Sequence, residues 1–369
     1  MKIDSVYDSG NIEVVEIRDG EVDLRIRPDT NSEFLQWFDF RALEGKGATT
    51  TFNILNAGDA AYVGGWQDYR VCVERSDGQW RRVETKFADG VLSWTDSPHS
   101  GSVRYSYWAP YPHNRHLDLV RRMAAETGVE YRLLGRSVEG RSMDCLVLGS
   151  GPLNVWVIAR QHPGESMAEW WMEGFLDHLV SDEATEALER MRFFVVPNMN
   201  PDGAFHGNLR SNAAGANLNR EWNVATEERS PEVLCVRTAM EADPPSLCLD
   251  VHGDEALPYN FIAGAEGIAG HSDDQAAQLA LFLDAYKAAT PEFQTKHGYP
   301  KTAPGKANLG MCTNYCAHTF GGLAMTLEMP FKDNADRPDT EFGWSPQRAK
   351  TLGRDTLAPM LDWARSRDA

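Results

Sequence analysis

The chain is 369 residues long, 42% hydrophobic and 24% charged, and its 36 basic against 54 acidic side chains leave a formal net charge of −18. That length exceeds what one hydrophobic core usually organises, so two domains are expected, and the composition excludes the disordered and fibrous classes. The negative balance opposes a general affinity for nucleic acid or an anionic membrane, so an acidic substrate would need positive charge gathered in the site itself.

The amino terminus, Met1-Lys2-Ile3-Asp4-Ser5, lacks the charged-then-apolar pattern of a secretion signal. No later apolar run is long enough to cross a bilayer, and the expectation is a cytoplasmic protein without a membrane partner. From residue 13 to 108, apolar and polar positions alternate in short stretches divided by turn residues, as in Val22-Asp23-Leu24-Arg25-Ile26, Thr51-Phe52-Asn53-Ile54-Leu55 and Val103-Arg104-Tyr105-Ser106-Tyr107-Trp108. This period predicts an all-β, antiparallel sandwich. Two prolines in Ala109-Pro110-Tyr111-Pro112 break the alternation and mark a domain junction, with residues 1–110 on one side and 111–369 on the other.

Beyond the junction the period lengthens. Asn114 is placed to cap a helix carrying Leu117, Val120, Met123 and Ala124, which Gly128 would end. Four short apolar runs follow: Val155-Trp156-Val157-Ile158, Phe193-Phe194-Val195-Val196, Leu247-Cys248-Leu249 and Leu323-Ala324-Met325-Thr326-Leu327. Each is too short for a buried helix and lacks strict alternation, as expected of a central strand covered on both faces. Helical stretches at 166–180 and 275–288 separate them, so the second domain is predicted to be α/β, with helices on both sides of a mixed sheet. Of the six cysteines, three lie in apolar runs as small hydrophobes. Cys312 and Cys316 have no second Cys/His pair at zinc-finger spacing, so no structural metal site is expected there.

The first apolar run leads into Gln161-His162-Pro163-Gly164-Glu165, after which Ser166 and Glu169 have the spacing of a capping box. An imidazole and a carboxylate in a strand-to-helix loop are the donors that catalytic zinc uses when one position must stay open. The spacing alone is weak, because His252 and Glu255 repeat it. Position separates the two pairs: His252 closes a strand, and open α/β sheets bind ligands beyond the carboxyl ends of their strands. Two strand-end histidines with one loop glutamate complete a His₂Glu set, and Asp250 is placed to orient the second imidazole. The strand ending at Leu327 delivers Glu328, a carboxylate suited to taking a proton from an attacking water. The loop after Val196 carries Arg210, Asn217, Asn219 and Arg220, where a guanidinium fork matches a carboxylate or an oxyanion.

Taken together, His-Pro-Gly-Glu at 162–165, Asn-Pro-Asp-Gly at 200–203, Asn208-Leu209-Arg210, Leu218-Asn219-Arg220 and Asp250-Val251-His252-Gly253 resemble, in order and spacing, the zinc metallocarboxypeptidases of the cytosolic carboxypeptidase type. Trp37-Phe38-Asp39-Phe40-Arg41 and Tyr107-Trp108-Ala109-Pro110-Tyr111-Pro112 resemble that family's amino-terminal sandwich, so the likeness covers nearly the whole chain. The resemblance implies one zinc ion per chain on His162, Glu165 and His252, and the carboxyl terminus of a peptide or protein as substrate. It implies Glu328 as general base, Arg210 on the scissile carbonyl, Asn219 and Arg220 on the terminal carboxylate, and Tyr315 as the tyrosine that closes over substrate. One stretch departs from the eukaryotic members: Pro304-Gly305-Lys306-Ala307-Asn308-Leu309-Gly310 lacks the arginine expected of a pocket for glutamate, with only Lys306 to replace it. Two other readings are a zinc deacylase of N-acyl amino acids, which is not expected to carry the sandwich, and an inert binding protein.

Overall fold

The computed structural model describes residues 1–98 and 100–368. The alternating segments form two five-stranded sheets facing one another. One runs in the order β1 (Lys2–Asp4), β4 (Asp39–Leu43), β10 (Ser102–Ser106), β6 (Val71–Glu74), β7 (Trp80–Val83). The other runs β2 (Glu13–Arg18), β3 (Glu21–Arg25), β5 (Thr50–Ile54), β9 (Val91–Asp96), β8 (Thr85–Ala88). Their inner faces meet through Phe40, Phe52, Trp94 and Tyr105, whose ring centroids lie 4.9 to 6.2 Å apart. Such aromatic pairs add to the stabilisation that burial alone provides. The expected sandwich is therefore present, with one parallel pair, β3 with β5. The chain leaves that sheet after β3, lays β4 into the opposite sheet and returns alongside β3 in the same direction.

In the second domain a seven-stranded sheet has the order β11 (Val129–Arg136), β12 (Ser142–Leu148), β14 (Met191–Val196), β13 (Leu153–Ala159), β15 (Leu247–Asp254), β17 (Leu323–Pro330), β16 (Phe261–Gly264). The four predicted apolar runs are β13, β14, β15 and β17, which form its parallel centre. The remaining strands add antiparallel pairs outside it. Helix α1 (His113–Ala124) precedes the sheet, and α2 (Met167–Leu179) buries Met167, Trp171, Phe175 and Leu179 as their spacing predicts. Close contact of α2 with α8 (Pro346–Asp355) depends on two glycines: a Cβ at Gly174 would stand 2.1 Å from the Lys350 carbonyl oxygen, and one at Gly353 2.1 Å from that of Trp171.

Two local expectations fail for tertiary reasons. Asn114 is exposed inside the first turn of α1 rather than capping it, and the buried residues are His116, Leu119, Val120 and Met123 instead of a face through Leu117 and Ala124. The helix is rotated because His116 is drawn inward between Asp144 and Glu169. Ser166 makes no side-chain cap to α2; its hydroxyl donates to the Ala109 carbonyl at 2.9 Å, and Glu169 turns to His116 and Arg160.

Candidate metal centre

Strand order reverses around β13, whose neighbours are β14 on one side and β15 on the other. The crevice beyond the carboxyl ends of β13 and β15 is thus the switch point where α/β sheets bind ligands. The chain leaves β13 through Arg160, which is fully buried with φ of 60°. That left-handed backbone is costly for a residue with a Cβ. It is held by the side chain, whose guanidinium donates to the carbonyls of Pro163 at 2.9 Å and Tyr111 at 2.7 Å and pairs with Glu169. The Asn-Pro-Asp-Gly turn braces the same loop: Asn200 caps α4 (Pro201–His206) by accepting from the Gly203 N–H at 3.0 Å and donates to the Gln161 carbonyl at 3.0 Å.

From this loop His162 and Glu165 meet His252 at the end of β15. His162 Nδ1 lies 2.7 Å from Glu165 Oε1, His252 Nδ1 lies 2.7 Å from Glu165 Oε2, and the two Nδ1 atoms are 3.1 Å apart. The outer nitrogen of each ring is already used. His162 Nε2 faces Asn217 Oδ1 at 3.1 Å, and His252 Nε2 faces Asp250 Oδ2 at 2.9 Å. Both acceptors favour the Nε2–H tautomer, which turns two Nδ1 lone pairs and a carboxylate onto one point. Gln161 stiffens this outer ring by donating to Asp250 Oδ2 at 2.6 Å and accepting from Trp222 Nε1 at 2.8 Å.

The donor set fits zinc. Bonds of about 2.0 to 2.2 Å separate neighbouring donors in a tetrahedron by about 3.3 to 3.6 Å, so the spacings of 2.7 to 3.1 Å found here need widen by less than about 1 Å to take the ion. Burial and the nearby Arg210 press the His162 pKa down to about 3, keeping its ring a neutral electron-pair donor. Burial alone would raise Glu165, yet the two imidazoles outweigh it and hold the carboxylate ionised. Glu255 is not among the converging donors, which settles the ambiguity between the two His-x-x-Glu pairs. His162, Glu165 and His252 form a single His₂Glu triad for one zinc ion.

Glu328 lies directly across the sheet from His252 in the pairing of β15 with β17. Its Oε1 accepts from the Tyr299 hydroxyl at 3.2 Å, while its Oε2 is buried without a partner among the described residues. Burial first, and then Glu165, Asp254 and Glu255, push its pKa well above the usual carboxylate range against the pull of His252. The Tyr299 hydroxyl also lies 2.6 Å from Asp254 Oδ2, the nearer of the two carboxylates that compete for its one proton, although the residue as a whole is 46% exposed.

Tyr315 lies on α7 (Cys312–Phe320), its ring 5.9 Å from that of Trp222 and 6.2 Å from that of Phe320, packed against the core on that face of the sheet. Tyr299 was not singled out from the sequence because its loop has neither periodicity nor motif. Arg210 is half-buried and Arg220 exposed. Asn219 is buried, its Oδ1 accepting from the Cys312 N–H at 2.9 Å and its Nδ2 lying 3.4 Å from His252 Nε2. Lys306 is exposed. Cys312 and Cys316 do gain a third sulfur, Cys248 on β15, with Sγ separations of 4.0 and 3.9 Å about Cys312. These thiols sit with Met240 in the apolar core beneath the site.

Residues 3–108 match the cytosolic carboxypeptidase N-terminal domain, and residues 117–335 match the zinc carboxypeptidase family. This chain belongs to the zinc carboxypeptidase family. An uncharacterized protein of Zymomonas mobilis is 46% identical over 98% of this chain and 96% of its own length. The structure is similar to that of a metallo-carboxypeptidase from Pseudomonas aeruginosa in complex with (2-guanidinoethylmercapto)succinic acid, with a TM-score of 0.95, 43% identity and 98% of each chain covered. Cytosolic carboxypeptidase 2 of Xenopus tropicalis is 27% identical over 98% of this chain, which spans only 42% of that protein. In this zinc carboxypeptidase the triad is complete and the fold is that of a zinc-dependent exopeptidase, so the inert-binding reading has no support. No helix among the described residues is long and apolar enough to cross a membrane.

Proposed function

We propose that the protein removes residues from the free carboxyl termini of peptides or proteins. Zinc held by the triad supplies a Lewis acid that acidifies water toward neutrality and polarises a carbonyl. Glu328 acts as the base, its Oε2 taking a proton from the attacking water and passing it to the departing amine while Tyr299 stands against Oε1. Arg210 stabilises the oxyanion that develops on the scissile carbonyl. Asn219 and Arg220 hold the terminal carboxylate, and Tyr299, in place of Tyr315, is the tyrosine that meets the substrate. The observation that carries this reading is the unpartnered Glu328 Oε2, buried across the sheet from a zinc-ligand histidine.

The cytoplasm is the proposed location, supported by six cysteines that are all free. Glutamate is not the favoured leaving residue in this reading, since the stretch 304–310 offers only the exposed Lys306. The test is digestion of paired peptides, identical except for a free or an amidated carboxyl terminus, read by mass spectrometry. Release of single residues from the free peptides alone is expected. Equal cleavage of both would remove the roles given to Asn219 and Arg220, and turnover of N-acyl amino acids alone would favour the deacylase reading.

A further inference from the structure

The loop that carries Arg210 is held from the other domain. Asp29, in the sandwich segment between β3 and β4, is 4% exposed and accepts three consecutive backbone N–H groups: Leu209 at 2.6 Å, Arg210 at 2.8 Å and Ser211 at 2.8 Å. Its neighbours extend the clasp. The Thr30 N–H donates to Asn208 Oδ1 at 3.1 Å, and Asn31 Nδ2 donates to the Ala213 carbonyl at 2.8 Å. A second sandwich residue covers the side chain itself: the ring centre of Tyr62 lies 5.2 Å from the guanidinium carbon of Arg210. Tyr62 is in turn fixed by Gln36, which accepts from its N–H at 2.9 Å and donates to its carbonyl at 3.1 Å.

We propose that the sandwich is a working part of the active site, in which Asp29 and Tyr62 are positioning residues for Arg210. This rests on the reading that Arg210 acts on the scissile carbonyl. Asp29 binds the backbone of the Arg210 loop rather than its guanidinium, so it sets the direction of the side chain without consuming the charge. Charge-assisted hydrogen bonds to consecutive amides are strong and directional, and the face of an aromatic ring orients a guanidinium while leaving its N–H groups able to donate. Docking of the two domains has other anchors. Arg82 donates to the carbonyls of Phe331 at 2.8 Å and Lys332 at 2.9 Å, Asn11 Nδ2 donates to the Gly207 carbonyl at 2.9 Å, and the Ser9 N–H donates to that of Phe205 at 2.9 Å. Loss of Asp29 therefore loosens one loop and leaves the domains joined.

The experiment is a double-mutant cycle on the full-length, zinc-loaded protein with a free-ended peptide. Asp29→Ala should lower kcat about 10- to 100-fold with KM nearly unchanged and zinc content intact, because a displacement of the order of 1 Å costs that much. Asp29→Asn, which keeps one acceptor oxygen, should recover part of the loss. In an Arg210→Ala background Asp29→Ala should have almost no further effect. An equal loss in both backgrounds, or a rise in KM with kcat preserved, would overturn the proposal. Arg210→Ala with full activity would instead remove the role given to Arg210, a separate failure. Tyr62→Leu keeps the backbone bonds to Gln36 and carries the same cycle should Asp29→Ala not fold. Its expected loss is about fivefold, again absent without Arg210.

Discussion

His116 and His252 are both fully buried imidazoles flanked by two carboxylates. His116 sets Nδ1 against Glu169 Oε1 at 2.8 Å and Nε2 against Asp144 Oδ2 at 3.0 Å. Those carboxylates are themselves held, Glu169 by Arg160 and by Asn198 at 3.0 Å, Asp144 by Tyr131 at 2.7 Å and Ser142 at 2.9 Å. Every partner of His116 is an acceptor, so the site is complete once the ring carries two protons. Although burial disfavours that charge, Asp144 and Glu169 raise its pKa to about 9. His252 has the same flanks, Asp250 and Glu165, but shares Glu165 with a second imidazole whose Nδ1 stands 3.1 Å from its own. Two lone pairs cannot satisfy one another. One histidine lies in a closed network with a carboxylate for each ring nitrogen, and the other shares its carboxylate with a second imidazole, a converging donor set that a metal cation satisfies.

This contrast can be broken at either histidine. His252→Ala removes one of three donors and should abolish both zinc retention and turnover, read by metal analysis after dialysis and by peptide assay; zinc retained at one per chain would mean that the ion sits elsewhere. Glu328→Gln should cost about 10² to 10⁴ in kcat with zinc content unchanged, since it removes the base and no donor. Asp250→Asn keeps the shape but weakens the hold on His252 Nε2, and should reduce zinc affinity about 10- to 100-fold in a chelator competition. Unaltered affinity would show that Asp250 plays no orienting part.

The smallest effect on turnover belongs to His116, where pH is the readout. Its folded pKa of about 9 exceeds the ordinary 6.5, so its contribution is complete below about pH 6.5 and is lost as pH rises through about 9. That gap is worth about 3 kcal/mol. Urea unfolding at pH 6.5 and at pH 9 should register the fall, and His116→Asn should flatten it. A slope of equal size in the variant would assign it to other groups.

The sequence reveals most where the chemistry is local. The four parallel strands announce themselves as unbroken apolar runs, and the triad sits at their ends with motifs short enough to recognise. Side chains committed across the fold are another matter. Ser166 and Glu169 have capping-box spacing, but one is taken by Ala109 and the other by His116 and Arg160. His116 turns α1 away from the face its apolar residues suggest. The half-exposed β11 lacks a continuous apolar run, and β16 is only four residues long. Tyr299 and Asp29 reach their partners from loops with no period of their own, Asp29 across some 180 positions.

The cysteines carry a practical consequence. None is paired, five are buried beneath the sheets and helices, and Cys235 alone is partly exposed. A sulfhydryl-reactive dye added to the native protein therefore meets at most one target, Cys235, whose thiol burial pushes up to about 12, and gains the other five only when the chain opens, so the rate at which the later signals arrive times global unfolding without any label being engineered in.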